Sequence, residues 1–475
     1  MKERKHPPIE FSIMPSISQI FLISRPSRFL YKEKTWTYNR NTISLGGNNM
    51  EQQAILAIAI FLIVYGLIIS EKIHRTIAAV LGGALMILFG IVDQGTALHH
   101  IDFNTLGLLI GMMIIVNITA ETGLFKYMAV WSAKKAGGRP IRILVYLSVI
   151  TAVGSAFLDN VTTVLLMVPV TYSITRQLRV DPIPYMIAII ISSNTGGTAT
   201  MIGDPPNIMI GSRVPELTFM SFIQNLTPIV ILIMAVILPL LVLMFRKRIK
   251  TTPELMRQVT EMDEKLMITD RKLLVKSLTV LILTIAGFFL HQLVHLESAT
   301  VALTGAFLLL LMTGEKIMER TISQVEWTTI FFFIGLFVLV SGLVETGVIA
   351  LLAEKALEWT GGNVTAASML ILWLSGIASA FVDNIPFVAT MIPLIQDMGH
   401  GGISNLEPLW WSLSLGACLG GNGTLIGASA NLVTAGLSAK EGHPIRFMEY
   451  LKYGFPLMIL SIALASVYVF LRYLI

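Results

Sequence analysis

The stretch SAFLDN at residues 155–160 recurs as SAFVDN at residues 379–384, which is 224 positions further along the chain. The same offset, without a gap, aligns GGTATMIGDPPN from residue 196 with GGNGTLIGASAN from residue 420. Self-similarity at one fixed offset indicates an internal duplication, in which each copy folds as an equivalent unit. The duplicated cores span at least residues 102–207 and 326–431.

The amino-acid composition places this duplicated unit in a membrane. Of the 475 residues, 54% are hydrophobic and only 13% are charged, and the mean hydropathy is +0.75. A helix needs roughly 20 apolar residues to cross the hydrocarbon core, and apolar segments near this length recur along the chain. The sequence therefore predicts a polytopic helical membrane protein. The predicted spans lie near residues 54–69, 76–92, 103–119, 184–203, 219–245, 273–293, 298–312, 328–343, 409–430 and 455–474.

The distribution of Lys and Arg predicts how the chain is oriented, because these residues accumulate in cytoplasmic loops. The basic clusters lie at residues 72–75, 126–142, 176–179, 246–250 and 440–452. The alternate loops hold only Arg213 and Lys355 and are predicted to face outward. These loops are residues 93–102, 211–217, 294–297, 344–365 and 397–408. The sequence thus predicts a multi-pass protein of the plasma membrane with its C-terminus outside.

The same pattern divides the chain into two membrane halves, residues 50–245 and 273–475, joined by a polar cytoplasmic linker at residues 246–272. The many basic residues of the first 49 positions break the alternation of loops. Directly before Met50 the chain reads LGGNN, which can be encoded as a purine-rich ribosome-binding sequence. We therefore expect Met50 to be the true start, and residues 1–49 to be a non-native or disordered extension.

The two copies are predicted to be inverted. The loop assignment makes the span at residues 103–119 run inward and its copy at residues 328–343 run outward. Inverted repeats place a binding site near the membrane midplane, between broken helices. Gly-, Thr- and Asn-rich interruptions at residues 196–207 and 420–431 supply such breaks, although small residues there also allow helices to pack closely.

The Asp-Asn pair of each SAF-x-DN motif lies between two short apolar runs that suit the half-helices of a re-entrant hairpin. The runs are residues 141–158 and 161–175 in the first copy and residues 366–382 and 385–396 in the second. The predicted fold class is an all-α polytopic membrane protein. It consists of inverted repeats of about five helices each, with re-entrant hairpins and discontinuous helices.

The hairpin tips carry Asp159 and Asp383, and an intramembrane carboxylate normally faces a cavity or a partner. Carboxylate, amide, hydroxyl and freed carbonyl oxygens are the ligands that a hard cation prefers, so Na+ is predicted to bind at Asp159 with Asn160 and at Asp383 with Asn384. The alternative is that each Asp only caps the following half-helix. The candidate ion- and substrate-binding residues are Ser155, Asp159, Asn160, Asn194, Thr195, Gly196, Gly197, Thr200, Asn207, Ser379, Asp383, Asn384, Gly420, Gly421, Asn422, Thr424 and Asn431.

The motifs SAFLDNVTTVLLMVPV and NTGGTATMIGDPPN resemble those of the ArsB/NhaD permeases of the ion transporter superfamily. This group includes arsenite permeases, sodium–proton antiporters and the pigmentation P protein, and it is related to the divalent anion/sodium symporters. The resemblance covers nearly everything after Met50, and it implies alternating access and a homodimer. It also implies hairpin tips at Asp159–Asn160 and Asp383–Asn384, and helices broken at Gly196–Asn207 and Gly420–Asn431.

The chain departs from the dicarboxylate symporters at the hairpin tips. Those symporters resemble it around GDPPN but carry Ser-Asn-Thr at the tips, where this chain has Asp159 and Asp383 in place of Ser. A carboxylate at each tip repels a dianion and favours cations or protons. The sequence therefore argues against a citrate or succinate carrier.

Sodium–proton antiport is the function that the residues favour most directly, because one carboxylate in a low-dielectric cavity can hold either a proton or Na+. Arsenite or antimonite efflux is the alternative. Trivalent arsenic prefers thiolates and Cys418 is the only cysteine, but neutral arsenous acid can be bound by hydroxyl and amide groups. Only an arsenite pump would use an ATPase partner subunit.

The remaining function classes fit the sequence less well. An organic or inorganic anion transporter and a channel stay open. An intramembrane aspartyl protease is disfavoured because its GxGD motif is absent, so no enzyme is predicted. The chain lacks the Walker sequence, and the driving force is expected to come from an ion gradient or from a partner subunit. No cofactor is expected beyond Na+ or H+ as coupling ion, and the expected partners are the lipid bilayer and a small ion, with no nucleic acid.

Five other polar positions are weaker candidates for the site. Glu121 and Glu345, in the duplicated ETG, are expected to cap helices or to pair with lysines. Asp204 is a possible proton site ranked below the tip aspartates, because Ala428 occupies the equivalent place in the second copy. His291 and His295 are expected at the membrane interface.

Overall fold

Helices and the turns between them form the described part of the chain. The computed structural model describes residues 47–70, 72–290 and 296–475, and these ranges contain no β-strand. Residues 1–46 lie outside them, and so does almost all of the predicted extension. His291 and His295 also lie outside the described residues, so their interfacial position stays a prediction.

Within the described residues, the first half of the chain contains ten helices. They are α1 Gly47–Ser70, α2 Arg75–Leu88, α3 Gln94–His100, α4 Phe103–Glu121, α5 Leu124–Lys135, α6 Pro140–Phe157, α7 Asn160–Leu178, α8 Ile183–Gly197, α9 Pro205–Arg213 and α10 Phe219–Phe245. A short helix, α11 Pro253–Thr260, and a 3-10 turn, Glu264–Met267, follow in the linker.

The described ranges of the second half contain ten further helices. They are α12 Arg271–Leu290, α13 Ser298–Thr313, α14 Glu315–Ser323, α15 Trp327–Glu345, α16 Val348–Thr360, α17 Val364–Phe381, α18 Asn384–His400, α19 Glu407–Gly420, α20 Ser429–Lys440 and α21 Phe447–Val469. The last helix continues as one π-helical turn, Phe470–Leu474.

The helices α1 to α10 correspond in order to α12 to α21. The starts of α4 and α15, at Phe103 and Trp327, differ by the sequence offset of 224, and so do the starts of α7 and α18, at Asn160 and Asn384. The structure therefore extends the duplication beyond the predicted cores to the whole of both membrane halves.

The two halves exchange contacts symmetrically. Helix α2 packs against α15 and its equivalent α13 packs against α4, while α7 packs against α20 and α18 packs against α9. Within each half, α6 packs against α8 and α17 against α19. Paired exchange of this kind is what two repeats related by a pseudo-two-fold axis produce. The predicted fold class, with inverted repeats, re-entrant hairpins and discontinuous helices, is confirmed.

Eight of the described helices are long and apolar enough to cross a membrane. Within their most apolar windows, α4 and α15 are 67% and 72% buried, whereas α1 and α12 are only 22% buried. The first pair therefore forms the interior and the second pair exposes apolar side chains outward, as lipid contact requires. The protein is a multi-pass membrane protein.

Two predicted spans, residues 184–203 and 409–430, are not continuous helices. Helix α8 ends at Gly197 and α19 ends at Gly420, inside the polar interruptions that the sequence marked as breaks. Conversely, the hairpin arms α6 and α17, with 18 residues each, are long enough to count among the eight apolar helices.

Ion pairs join segments that were predicted to share one side of the membrane. Arg213 lies 3.5 Å from Asp102, and His100 lies 2.9 Å from Glu345, both within predicted outer segments. In the other group, Arg320 pairs with Glu121 at 2.9 Å, Arg248 with Asp181 at 2.7 Å and Lys134 with Glu264 at 2.7 Å. Glu121 and Glu345 thus pair with Arg and His, whereas lysines were expected.

The linker lies against the first membrane half. The hydrogen bond from Lys134 lowers the pKa of the Glu264 carboxyl below its ordinary value. The backbone N–H of Thr269 donates to the carbonyl oxygen of Thr122 at 3.0 Å, and the Thr269 hydroxyl donates to that of Glu121 at 2.7 Å. These contacts fix the linker at the N-terminal end of α5.

Gly123 makes this close approach possible. Its φ of +81° lies in the left-handed region that favours glycine, and a Cβ there would lie 1.9 Å from the carbonyl oxygen of Met267. The equivalent residue of the second half, Gly347, has a similar φ of +74° but nothing within 4 Å of the same position. The linker therefore packs tightly on α5, and α16 has no such cover at this point.

Candidate functional site

The two hairpins turn where the sequence predicts, at Asp159 between α6 and α7 and at Asp383 between α17 and α18. The Asp159 carboxylate accepts a hydrogen bond from the backbone N–H of Thr162 at 2.8 Å, and it also bonds the Thr162 hydroxyl. The Asp383 carboxylate accepts from the N–H of Ile385 at 3.0 Å. Both aspartates are N-caps, so the capping role applies at both tips whatever else they do.

The two helix breaks are held by an asparagine in each copy. The Asn207 amide donates to the carbonyl oxygens of Thr198 and Thr200 at 3.2 and 2.9 Å. The equivalent Asn431 donates to those of Gly421 and Thr424 at 2.7 and 2.8 Å. Backbone carbonyls that leave a helix inside a membrane need such partners, and both asparagines are fully buried.

A threonine ties each break to the neighbouring hairpin. The Thr200 hydroxyl donates to the carbonyl oxygen of Ala156, and the Thr424 hydroxyl donates to that of Ala380 at 2.5 Å. Ala156 and Ala380 immediately precede the last residues of α6 and α17. The breaks and the hairpin tips therefore form one polar unit in each copy.

The glycines of the breaks serve close packing. A Cβ on Gly196 would lie 2.2 Å from the carbonyl oxygen of Ala152, and one on Gly420 would lie 2.5 Å from that of Gly376. Gly197 and Gly421 pack against the far side of their own breaks in the same way, near Gly203 and Gly427. Glycine is required here by approach of the backbones, which is the packing role that the sequence left open.

The two breaks also contact each other across the pseudo-two-fold axis. The Asn194 amide donates to the side-chain oxygens of Asn431 at 2.8 Å and Asn422 at 3.1 Å, and Asn422 donates to the Thr195 hydroxyl at 3.1 Å. The position equivalent to Asn194 is Cys418, whose thiol lies 3.6 Å from the side-chain oxygen of Asn207. The Asn-to-Cys exchange is one point where the two copies differ chemically.

The tip serines also differ between the copies. Ser155 accepts from the Ser193 hydroxyl at 3.3 Å, whereas Ser379 donates to the carbonyl oxygen of Ala417 at 2.7 Å. Ala417 is the counterpart of Ser193. Both tip serines are fully buried and bind the adjacent broken helix.

Asp204 connects the two hairpin tips. The side-chain amides of Asn160 and Asn384 each donate to Oδ1 of Asp204 at 3.3 Å. Asp204 is fully buried and forms no ion pair among the described residues. The side chain of lower priority in the sequence therefore lies at the point where both tips meet.

Arg75 binds the second tip. Its Nη1 donates to Oδ2 of Asp383 at 2.7 Å and also to the Ser429 hydroxyl, which itself donates to the same Asp383 oxygen at 2.8 Å. The guanidinium carbon lies 5.0 Å from the centre of the Phe332 ring, within the range of a cation–π contact. Asp159, at the first tip, has no ion pair in the described part of the chain.

A small cavity separates the tips from α15. It has a volume of about 20 Å³, and its acidic lining residues are Asp159, Asp204 and Glu326. Arg75 also lines it and is shared with a larger cavity of about 250 Å³, which extends along Ile68 to the N-terminal end of α2. A volume of 20 Å³ holds one water molecule or one unhydrated ion.

Three residues of this site were missed by sequence reasoning. Arg75 was assigned to a basic loop, Glu326 was taken only as the edge of a repeat, and Ser429 aligns with Pro205 and showed no pattern. The signal that could have found Arg75 and Glu326 is their position, since each is a charge at the N-terminal end of an apolar helix. No group of three or more His, Cys, Asp or Glu side chains is arranged for a metal ion within the described ranges.

The chain is similar to a known protein family and to individual proteins. Residues 65–416 match the family described as citrate transporter, CitMHS, and an uncharacterized transporter of Mycobacterium tuberculosis is 41% identical over 88% of this chain and 99% of its own length. The chain belongs to the citrate transporter family. Its family and relatives are transporters, which supports the prediction that it is not an enzyme.

The chain is also similar to the human P protein, and it shares its fold with a solved transporter structure. The human P protein is 36% identical to this citrate transporter family chain over 90% of the chain and 61% of the P protein. A crystal structure of the Alcanivorax borkumensis YdaH transporter, described as having an unusual topology, shares the fold with a TM-score of 0.54 and 14% identity, over 88% and 97% of the two chains. The P protein part of the predicted resemblance is thus supported. The family also carries the name of a substrate that the tip aspartates argued against.

Proposed function

We propose that this citrate transporter family member is a secondary active ion transporter that exchanges Na+ for protons. The observation that carries this proposal is the buried Asp204 carboxylate, which is held by both tip asparagines beside a cavity of about 20 Å³. The cavity has room for one small ion, and its acidic lining favours a cation.

The charges of the site support a cation. Asp159, Asp204 and Glu326 line the small cavity, and Arg75 is the one basic side chain among the described residues that reaches it. Arg75 is already bound to Asp383. Burying an unpaired carboxylate is costly unless it is protonated or binds a cation. Each carboxylate without a partner is therefore a place where a proton or Na+ lowers the free energy.

Competition for the same oxygens couples the two ions. A carboxylate that holds Na+ releases its proton, and a protonated carboxylate no longer attracts Na+. Asp159 and Asp204 are the proposed carriers, with the amide oxygen of Asn160 and the neighbouring hydroxyl groups as further oxygen ligands.

The cavities indicate from which side of the membrane an ion reaches the hairpin tips. The cavity of about 250 Å³ reaches the segment before Arg75, which the sequence assigns to the cytoplasm. We propose that this conformation faces inward and that alternating access exposes the tips to the other side. The predicted external C-terminus and the homodimer are retained as part of the proposal, since no contact of the described residues bears on either.

Citrate transport is the second candidate, and the family description favours it. Arg75 is a group that could bind a carboxylate substrate. Two observations argue against citrate. The small cavity is lined by three carboxylates, and the volume of each of the two cavities is below the roughly 300–1,000 Å³ of typical small-molecule sites. Arsenite efflux has weaker support, because Cys418 is the one cysteine of the chain and is buried beside Asn207.

Transport by purified protein in proteoliposomes tests the proposal. Imposed gradients of H+, Na+, Li+, citrate and arsenite are compared in one preparation, with internal pH and tracer uptake as readouts. Proton efflux driven by external Na+, with a matching ²²Na+ uptake, is the expected result. Uptake of labelled citrate without Na+–proton exchange would replace the proposal by the second candidate.

A further inference from the structure

We infer that the guanidinium of Arg75 permanently occupies the cation position of the second hairpin tip, so that this chain binds its transported cation at the first tip alone. The inference rests on the proposed cation transport, and it adds the number of ions bound per chain. The two hairpin tips occupy equivalent positions in one molecule, which allows a direct comparison of their charges.

The two tips are equivalent in sequence but not in charge. At the offset of 224, Asp383 corresponds to Asp159, Ser429 to Pro205 and Arg75 to Ala299. Ala299 is the second residue of α13, as Arg75 is the first of α2, and the two helices pack against equivalent partners. An arginine therefore stands beside one tip where the other copy has a methyl group.

The groups around Arg75 are those that a bound metal cation would use. Oδ2 of Asp383 lies 2.7 Å from Nη1 of Arg75, and the Ser429 hydroxyl oxygen contacts the same nitrogen. A carboxylate and a hydroxyl converging on one point form an oxygen site for a hard cation. In this chain the converging point is taken by a positive charge that belongs to the protein.

Packing keeps the guanidinium in this position. Arg75 begins α2, and α2 lies so close to α15 that a Cβ on Gly335 would be 2.5 Å from the backbone nitrogen of Val80. The Phe332 ring of α15 lies 5.0 Å from the Arg75 guanidinium carbon, whereas the equivalent position in the first half is Leu108. The Arg75 guanidinium is therefore held beside Asp383 by the close packing of α2 against α15.

The first tip offers the contrast. Asp159 has no ion pair among the described residues. The cavity beside it is lined by two further carboxylates, Asp204 and Glu326; Arg75 and residues of the second tip line it as well, but Arg75 is paired with Asp383. An excess of negative charge at one tip and a neutralised pair at the other predict one open cation position and one filled position. The duplication supplies two tips, and Arg75 reduces the number available to one.

Equilibrium binding of ²²Na+ to purified protein in lipid nanodiscs tests this inference. The wild type is expected to bind one Na+ per chain. Arg75→Gln removes the charge and keeps a polar side chain, so this variant is expected to bind two. Arg320→Gln is the matched control, because it removes an exposed arginine that pairs with Glu121 away from the tips, and it is expected to bind one.

Each outcome decides something. Two Na+ per wild-type chain, or equal stoichiometry in wild type and Arg75→Gln, would overturn the inference. No binding in the wild type with one Na+ in Arg75→Gln would support the occupation of the second tip by Arg75 while refuting the proposed Na+ site at Asp159. No binding in either protein would refute both. If Arg75→Gln does not purify as a single species, Arg75→Lys and the wild type carry the test, since both retain the charge and must bind one.

Discussion

Asn160 and Asn384 lie 224 positions apart and donate their side-chain amides to the same carboxylate oxygen, Oδ1 of Asp204, each at 3.3 Å. The two asparagines are equivalent in the duplication, but the acceptor is not, because Ala428 takes the place of Asp204 in the second copy. A symmetric pair of tips thus meets at a residue that occurs once. Movement of either hairpin relative to the broken helices must change the contacts of this carboxylate.

Replacing the two tip aspartates by Asn is expected to affect different properties, transport at the first tip and stability at the second. Asp159→Asn can still accept the hydrogen bond from the Thr162 N–H, so we expect near-native stability and at least about a tenfold loss of Na+–proton exchange. Asp383→Asn leaves Arg75 without its counter-charge. Because the Arg75 side chain is 24% exposed, we expect the free energy of unfolding to fall by about 1–2 kcal/mol. This is less than the full cost of breaking a buried ion pair.

Thermal unfolding in nanodiscs and exchange in proteoliposomes separate these two effects. Arg320→Gln again serves as the control, since it breaks an exposed ion pair and should change neither quantity much. Finding that Asp159→Asn transports at the wild-type rate would reduce Asp159 to a helix cap. A stable Asp383→Asn variant would show that Arg75 finds another partner.

The linker is expected to be most sensitive at Gly123. Gly123→Ala adds the strain of a left-handed residue, about 1–2 kcal/mol, and also a clash with the carbonyl oxygen of Met267. Gly347→Ala adds nearly the same strain, with φ of +74° against +81°, and no clash. Hydrogen exchange should therefore show faster amide exchange at Thr269 and Ile268 in Gly123→Ala than in Gly347→Ala.

Equal exchange at these amides in both alanine variants would mean that the linker is not held by its contact with Gly123. A third variant, Glu264→Gln, removes the ion pair with Lys134 but not the backbone contacts. It is expected to have a smaller effect than Gly123→Ala, because an exposed ion pair contributes little.

The membrane orientation is tested by cysteine labelling. A cysteine at Ser404 is expected to react with an impermeant maleimide on intact cells, and one at Thr260 only after permeabilisation, since the charge distribution places residues 397–408 outside and the linker inside. Background labelling is low because Cys418, the one native cysteine, is fully buried. The reverse pattern would invert the orientation and turn the proposed inward-facing state into an outward-facing one.

The sequence predicted the local chemistry of the tips and breaks because each depends on neighbouring residues. An Asp before a half-helix caps it, and glycines inside an apolar span mark a break. The fixed offset of 224 then assigned the same role to the second copy. Hairpins, broken helices and inverted repeats could therefore be predicted without any knowledge of long-range contacts.

The charges that distinguish the tips could not be predicted in this way. Arg75 is 308 positions from Asp383, and it lies in a loop whose basic residues have a sufficient explanation in orientation. Asp204 was ranked low because its copy is Ala428. Comparing the two copies identifies the residues that they share. Arg75 and Asp204 lie at the junction between the copies and have no charged equivalent in the other copy, so this comparison does not identify them.

The strongest prediction concerns Asp204. Asp204→Asn preserves size and leaves an oxygen that can accept from Asn160 and Asn384, so the fold and the meeting of the tips should survive. The variant cannot release a proton or neutralise Na+, and we expect at least about a tenfold loss of Na+-driven proton efflux, since Asp204 is the fully buried carboxylate that both tip asparagines hold beside the ion-sized cavity. Asp397→Asn, near the far end of the second hairpin with His400 at 3.7 Å, is the control and should exchange ions at the wild-type rate. Unfolding temperatures of both variants exclude loss of folding as the cause. An Asp204→Asn protein that folds normally and still couples Na+ to protons would remove Asp204 from the mechanism and return the proposal to Asp159 alone.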